Sequence, residues 1–365
     1  MKNKILFILH LPPPVHGSSV VGKQIFDSEK INKKYNCIFI NLSTSNGVDK
    51  IGKISLDKFT LYFEILFKII KTLLFQSFDK VYLAPTVSKG GFYKDYIVYF
   101  ILFLFNKKRI YHLHNKGVSK RKKGTVLDFL YRSFFKNAKV ILLSERLFQD
   151  VEEFVNKEDV FICPNGIEDE VGCINRKQKE KKEQLNLLFL SNLIISKGVL
   201  VLLDACEKLA QSNVNFICNF VGGEGDISKE FFNKKVKELK LENNVFYLGK
   251  KYDKEKKDIF LKSDIFVFPT FYHNECFPLV SLEAMMYELP VISTDEGGIA
   301  DIIVNNKTGF VVKKEKVNAL VEKILLLIKD KELRVSMGKN GRNRFEENFS
   351  DQKFEETLCN ILNQL

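Results

Sequence analysis

Two glutamates eight residues apart, Glu275 and Glu283, carry the sharpest chemical signal in this chain. They lie in PTFYHNECFPLVSLEAMMYELPVISTDEGGIADII, residues 269–303. An ionised carboxylate accepts hydrogen bonds through both oxygens, so it suits vicinal hydroxyls, and it can balance developing positive charge. The apolar run between the acids predicts a helix from Leu279 to Tyr287, with Glu283 in its opening turns and Glu275 on the loop before it. Thr294-Asp295-Glu296-Gly297-Gly298 then follows a short strand. One acid at a helix start does no more than complement the helix dipole, worth about 0.3–1 kcal/mol. Two acids at the mouth of a sheet, followed by a glycine turn, point to a site for hydroxyl groups. A loop carboxylate that serves a ligand should also contribute little to stability.

Other residues sit at predicted strand ends. Pro12–Ser19 follows the first apolar run; Gly17 would let backbone approach a phosphate, and Ser18-Ser19 could cap the next helix. A proline-stiffened loop before a capped helix reads equally well from residue type alone. Lys197-Gly198 opens a predicted helix, Val199–Leu209. A cation there opposes the helix dipole unless an anion offsets it, although a solvated lysine fits the spacing too. In His112-Leu113-His114, alternation sends both histidines to one face of a strand, with His112 packed and His114 at the strand end.

Taken together, the chain resembles the retaining nucleotide-sugar glycosyltransferases of family 4. The matching pieces run in order along nearly the whole sequence: Pro12-Pro13-Pro14-Val15-His16-Gly17, Tyr111-His112-Leu113-His114, Leu143-Ser144-Glu145, Cys163-Pro164-Asn165-Gly166-Ile167, Ser196-Lys197-Gly198, Val221-Gly222-Gly223-Glu224-Gly225, Tyr247-Leu248-Gly249 and the E-x7-E block. The resemblance implies a GT-B fold, α/β, with two facing Rossmann-like domains and an interdomain cleft. It implies that Glu275 binds the donor sugar's hydroxyls, beside Cys276 and Phe277, and that His114 contacts the transferred sugar. Lys197, Gly17, Gly298 and Leu279 would hold the diphosphate. Glu283, Tyr247, Gly249, Lys250 and Gly222 would border the ribose and base. The family usually pairs its lysine with an arginine five residues earlier, where this chain has Asn192, so half of the phosphate clamp is missing or supplied by another lysine. Glycines frequent in the family are replaced by Cys276 and Pro278, and Pro278 lacks an amide donor.

What is absent also bounds the function. Without a full G-x-G-x-x-G fingerprint the chain does not read as an NAD enzyme. It contains no Asp-x-Asp, which argues against divalent-metal chemistry, and no Cys/His cluster with zinc spacing. Seven scattered cysteines without a C-x-x-C fit reduced thiols rather than a disulfide framework. The start, MKNKILFILHLPPP, has too short an apolar run for a signal peptide and reads as a buried first strand.

The net charge of +12 is uneven: residues 1–166 hold 27 Lys and Arg against 14 Asp and Glu, and the remainder 30 against 31. Basic surfaces attract phosphates of any kind, but no nucleic-acid motif accompanies this one. Phe-rich runs do, at Phe59–Phe78 and Phe92–Phe105, with Lys107, Lys108 and Arg109 next and Lys120, Arg121, Lys122 and Lys123 beyond. Such a run reads either as a buried core helix or as a monotopic surface resting on an anionic membrane.

To position these residues, apolar runs must form parallel strands joined by helices. Strands are predicted at Ile5–Leu9, Cys37–Asn41, Lys80–Leu83, Arg109–Leu113, Val140–Leu143 and Val160–Cys163. A second set falls at Leu187–Ser191, Asn215–Val221, Val245–Leu248, Ile265–Phe268, Val291–Ser293 and Gly309–Val312. A length of 365 residues suits two domains. The resemblance implies that residues 1–167 take the acceptor, with a final helix 351–365 crossing back onto them, and that 185–350 take the donor; the polar, aperiodic stretch 168–184 reads as the linker. The expected enzyme is a cytoplasmic, metal-independent hexosyltransferase at the inner face of the plasma membrane. It needs no cofactor and moves a sugar, from UDP ahead of GDP, to a lipid-linked glycan of bacterial surface polysaccharide. A nucleotide-sugar epimerase on the same fold and an inactive binding or assembly subunit remain open.

Overall fold

The computed structural model describes residues 2–44, 56–172 and 184–365. Most strands form where Val, Ile, Leu and Phe runs are buried on both faces, as parallel sheets flanked by helices require. The first sheet contains β1 (Lys4–Leu9), β2 (Asn36–Asn41), β3 (Lys80–Leu83), β4 (Arg109–Leu113), β5 (Ala138–Leu142) and β6 (Val160–Ile162) in the order β2-β1-β3-β4-β5-β6. The second contains β7 (Leu185–Leu190), β8 (Phe216–Val221), β9 (Val245–Tyr247), β10 (Ile265–Phe268), β11 (Val291–Thr294) and β12 (Gly309–Val312) in the order β12-β11-β10-β7-β8-β9. All neighbours in both sheets are parallel; Phe7, for example, stands between Phe39 and Tyr82.

The chain divides into two units, Met1–Gly166 with Asp351–Leu365, and Ile167–Ser350. In the first, the helix Asp351–Gln364 completes the core on one side of the sheet: Phe354, Leu358 and Leu362 pack with Ile5, Phe7, Val21 and Ile25. Of the stretch expected as a linker, Asp169 pairs with Arg342 and Glu170 with Lys257, at 2.9 Å for the latter, inside the second unit. Residues 173–183 of that stretch lie outside the described residues.

The helices Leu56–Phe75, Lys89–Leu104 and Val126–Phe135 connect strands that advance in one direction across the first sheet, and right-handed crossovers put them on one face. Their inner sides build an aromatic layer in which Phe92 meets Tyr131 at 4.3 Å and Tyr111 stacks on Phe134 at 4.4 Å. Neither Phe-rich run is a wholly buried helix, because each leaves large apolar side chains in solvent.

Two cations expected on a membrane surface are internal. Arg109 is buried, donates to the Lys136 carbonyl at 2.8 Å and lies over the Tyr99 ring. Arg121 is buried between Asp128, at 2.9 Å, and Glu153, at 2.7 Å, over the Phe154 ring. A guanidinium in these surroundings stabilises the fold and cannot reach a lipid head group. Lys120, Lys122 and Lys123 are exposed, with Lys123 2.9 Å from Glu153, while Lys107 is half-buried and Lys108 exposed.

Candidate active site

In open parallel sheets ligands bind beyond the carboxyl ends of strands, where neighbouring connections depart to opposite faces. In the second sheet that point lies between β7 and β10, and the loops after these two strands carry Lys197 and Glu275. Gly198, between a single 3-10 turn at Ile195–Lys197 and the helix Val199–Gln211, has φ of 88°. A Cβ there would stand 2.3 Å from the Pro269 carbonyl oxygen, so both the backbone angle and the closeness of the β10 loop demand glycine. The Phe271 N–H donates to the Ser196 carbonyl at 2.7 Å, and the Thr270 hydroxyl to the same oxygen at 3.3 Å.

Joined in this way, the two loops set Lys197 Nζ 2.5 Å from Glu275 Oε2, with side chains only 15% and 11% exposed. The ammonium also lies 4.5 Å from the centre of the Tyr272 ring. The lysine at the helix start therefore finds its anion within the protein. This revises two expectations: residues read as having separate roles are partners, and Glu275 matters for stability, because removing it strands a mostly buried charge.

Glu283 lies in the helix Leu279–Met286 and has a different partner, Lys256, whose Nζ donates to Oε1 at 2.6 Å. Its Oε2 is buried and lacks a hydrogen bond. Burial pushes this carboxyl above its usual 4.5, against the pull of Lys256.

The glycine turn after β11 is packed more closely than the sequence suggests. A Cβ on Gly297, at φ of 57°, would stand 2.2 Å from the Glu275 carbonyl oxygen. The Gly298 amide donates to the Cys276 carbonyl at 2.6 Å, so it is not free to hold a diphosphate, as expected of it. No side chain caps the helix that Leu279 opens; the Ser281 amide turns back to the Pro278 carbonyl at 3.1 Å, which leaves the amides of Leu279 and Val280 available to an anion. Cys276 and Phe277 are buried, and the Phe277 ring meets Phe349 edge-on at 5.7 Å.

A third group forms at the ends of β7, β8 and β9. The Tyr247 hydroxyl donates to the Gly222 carbonyl at 2.9 Å, and the Gly222 amide to Gly249, also at 2.9 Å. The Gly223 amide donates to Asn192 Oδ1 at 3.0 Å. A Cβ on Gly223 would meet Lys250 Cε at 2.4 Å and Asn192 Oδ1 at 3.1 Å, so the Lys250 stem crosses Gly223 beside Asn192. Among the described residues Lys250 has no acidic partner.

The strand ends of the first unit carry rings instead. His114 follows β4, and its ring lies 4.2 Å from that of His112, on the same face as alternation requires. His112 is fully buried, with Nδ1 2.5 Å from the Tyr82 hydroxyl. His114 Nδ1 is buried without a partner, and burial lowers this imidazole to about 4. His10, directly after β1, falls to about 3 for the same reason. Neutral at pH 7, such rings can each donate and accept one hydrogen bond. His16 is the N-cap of the helix Gly17–Asp27, and of the two serines expected to cap it Ser19 takes part, as the other half of a capping box: His16 Nδ1 accepts from the Ser19 amide at 3.3 Å while Ser19 Oγ accepts from the His16 amide at 2.9 Å. Gly17 opens that helix with free space at its Cα.

The sequence reading missed Lys256, which nothing local could have revealed. It also missed His10, which the strand-end rule used for His114 would have found. Among the described residues no group of three or more His, Cys, Asp or Glu is placed as metal ligands would be.

Residues 171–344 match the family model for glycosyl transferases group 1. This stretch is a group 1 glycosyl transferase domain. It contains Lys197, Asn192, Lys250, Glu275 and Glu283, whereas Gly17 and His114 precede it. The capsular polysaccharide biosynthesis glycosyltransferase CapM of Staphylococcus aureus is 32% identical over 52% of this chain and 50% of its own. An uncharacterised glycosyltransferase of Methanocaldococcus jannaschii, MJ1178, is 30% identical over 61% and 60% respectively. The matches thus span half to three fifths of these relatives' length. HepE of Anabaena, solved in complex with UDP, superposes with a TM-score of 0.76 over 99% of this chain and 100% of its own, at 18% identity. With the transferase domain as its second unit, the chain has the GT-B fold.

Proposed function

We propose that this protein is a retaining glycosyltransferase that moves a sugar from a nucleoside-diphosphate donor, a UDP-sugar first, to a hydroxyl of a lipid-linked glycan. It would act in bacterial surface-polysaccharide synthesis, at the cytoplasmic side of the membrane. The observation that carries the reading is the Lys197–Glu275 pair at the β7–β10 switch point. A diphosphate offers Lys197 a stronger, doubly charged partner, and Glu275 is then released to accept from sugar hydroxyls. The capsular role in CapM's name and the UDP in the HepE structure support this substrate class.

Within this scheme Glu283 holds the ribose, the open amides at Leu279 meet phosphate oxygens, and Tyr247 and Gly249 border the base. Lys250, beside Asn192, supplies the second cation at the phosphates. His114 accepts from or donates to the transferred sugar as a neutral ring. The departing phosphate takes the acceptor's proton, and no metal is required.

A mass-spectrometric screen of nucleotide sugars with purified protein tests the reading, run with and without a glycan-lipid acceptor. Transfer that requires acceptor and survives EDTA is expected. Donor turnover independent of acceptor would indicate an epimerase, and absence of donor binding a binding subunit. Loss of activity on chelation, rescued by manganese, would overturn the metal-independent part.

A further inference from the structure

Three helices of the first unit, Leu56–Phe75, Lys89–Leu104 and Val126–Phe135, lie side by side. The Tyr62 hydroxyl donates to the Lys94 carbonyl at 2.5 Å, and the Tyr96 and Ser133 hydroxyls are 2.7 Å apart. The inner stripes, such as Tyr62, Leu66, Ile69 and Leu73 on the first helix, are buried. Each helix also has an outer apolar stripe, which core packing does not explain. On the first it is Phe59, Phe63, Phe67 and Leu74, with Phe63 and Phe67 65% and 68% exposed. On the second, Tyr93, Ile97, Phe100 and Leu104 recur at the spacing of one helix face, and all four are exposed. Val126 and Phe129 extend the face onto the third. Single exposed apolar residues are ordinary; adjoining stripes on three neighbouring helices mark a surface that something covers.

Charge identifies what covers it. Lys68 and Lys71 are exposed on the first helix, Lys108 shortly after the second, and Lys120 and Lys122 shortly before the third. Among the described side chains of the first two helices, Glu64 is the one exposed acid, since Asp95 is buried. A second copy docking through the same face would set these lysines against each other. An anionic lipid surface neutralises them while receiving the aromatic stripes.

We propose that this three-helix face docks on a bilayer containing anionic phospholipids, with the Phe and Tyr stripes entering the acyl boundary and the lysines at the head groups. Among the described residues no helix is long and apolar enough to cross a membrane, so these helices lie in the surface. With Arg109 and Arg121 internal, apolar insertion carries most of the binding, and salt has the smaller effect. The proposal does not depend on glycosyl transfer, because vesicle binding is read without donor or acceptor.

Flotation of the full chain decides it, using vesicles of phosphatidylcholine alone or mixed with phosphatidylglycerol, at low and high salt. The wild type is expected to float with the mixed vesicles and to keep a measurable bound fraction at high salt. Phe63→Ser with Phe67→Ser and Phe100→Ser, all exposed, should keep the melting point and lower partitioning about 100-fold. Phe67→Ser alone preserves the test if the triple variant does not fold. Lys68→Glu with Lys71→Glu should lower partitioning about tenfold at low salt and little at high salt. Wild type left unbound with both vesicle types, or serine variants that float as well as wild type, would overturn the proposal. So would a wild-type dimer in sedimentation that the serine variant splits without any flotation, which assigns the face to a second copy.

Discussion

The two units share a plan and differ in chemistry. Each has a six-stranded parallel sheet whose order reverses beside its first strand, β1 or β7. Yet at and near its strand ends the first presents neutral rings, His112 buried and His10 and His114 half-buried, while the second presents the ion pairs Lys197–Glu275 and, on the helices beyond, Lys256–Glu283. The outer helices differ as well: the first unit shows Phe63, Phe67 and Phe100 to solvent, whereas helix Asp253–Lys262 of the second is held to its surroundings by ion pairs to Glu170 and Glu283. Topology thus sets where a ligand can sit, and the side chains at that place set what it can be.

If charge in the second unit does the work, Glu275→Gln should have the largest effect. It should lower transfer ~10²–10³-fold and also lower that unit's melting temperature, because Lys197 loses its partner. Glu283→Gln should instead raise the donor KM about tenfold with kcat near wild type, since ribose contacts exist in ground and transition states alike. Identical kinetic profiles for the two variants would erase the distinction between the pairs. Next in size, Lys197→Met should weaken nucleoside diphosphate binding about 10- to 100-fold by calorimetry, and monophosphate less. Lys250→Met should cost a smaller factor, about 3- to 10-fold, again mainly for the diphosphate. An equal loss for uridine would move Lys250 to the base.

Acid should separate the units most gently. His10 at about 3 and His114 at about 4 lie below the ordinary 6.5, so the folded first unit binds fewer protons than its unfolded chain. Their contribution is complete above pH 6.5 and declines as the pH falls towards these values. Glu283 has the opposite sign: its raised carboxyl costs stability at neutral pH, and the cost disappears as the pH drops to its usual 4.5. Calorimetry should therefore show His114→Asn flattening the loss of the first unit between pH 7 and 5 (about two decades of proton activity). Glu283→Gln should raise the second unit's melting point at pH 7 but not at pH 4.5. Parallel responses from both variants would refute this contrast.

The twelve strands were legible because their apolar runs are short and bounded; Lys80–Leu83, Arg109–Leu113, Ile265–Phe268 and Gly309–Val312 form at the residues the runs mark. Other ends differ by one or two residues, as at Leu185–Leu190, because the neighbouring strand's register decides where pairing stops. Lys197 and Glu275 could each be singled out, but not their bond, which spans 78 positions and exists only because β10 pairs with β7. A run such as Lys107-Lys108-Arg109 shows charge but not direction: Arg109 opens β4 and turns inward over the Tyr99 ring. The Gly298 amide looked free because its acceptor, the Cys276 carbonyl, comes from another loop.

The helix Asp351–Gln364 has a consequence for the order in which the molecule can mature. Phe354, Leu358, Ile361 and Leu362 fill the core beside β1, the Tyr35 hydroxyl donates to the Cys359 carbonyl at 3.0 Å, and Lys80 donates to the Leu362 carbonyl at 2.7 Å. During synthesis the first 166 residues leave the ribosome early but lack part of their own interior until the last helix follows. The second unit, made of consecutive residues, has every part it needs sooner. The half translated first is therefore the half finished last, and until then its apolar sheet face is exposed to chaperones and to aggregation.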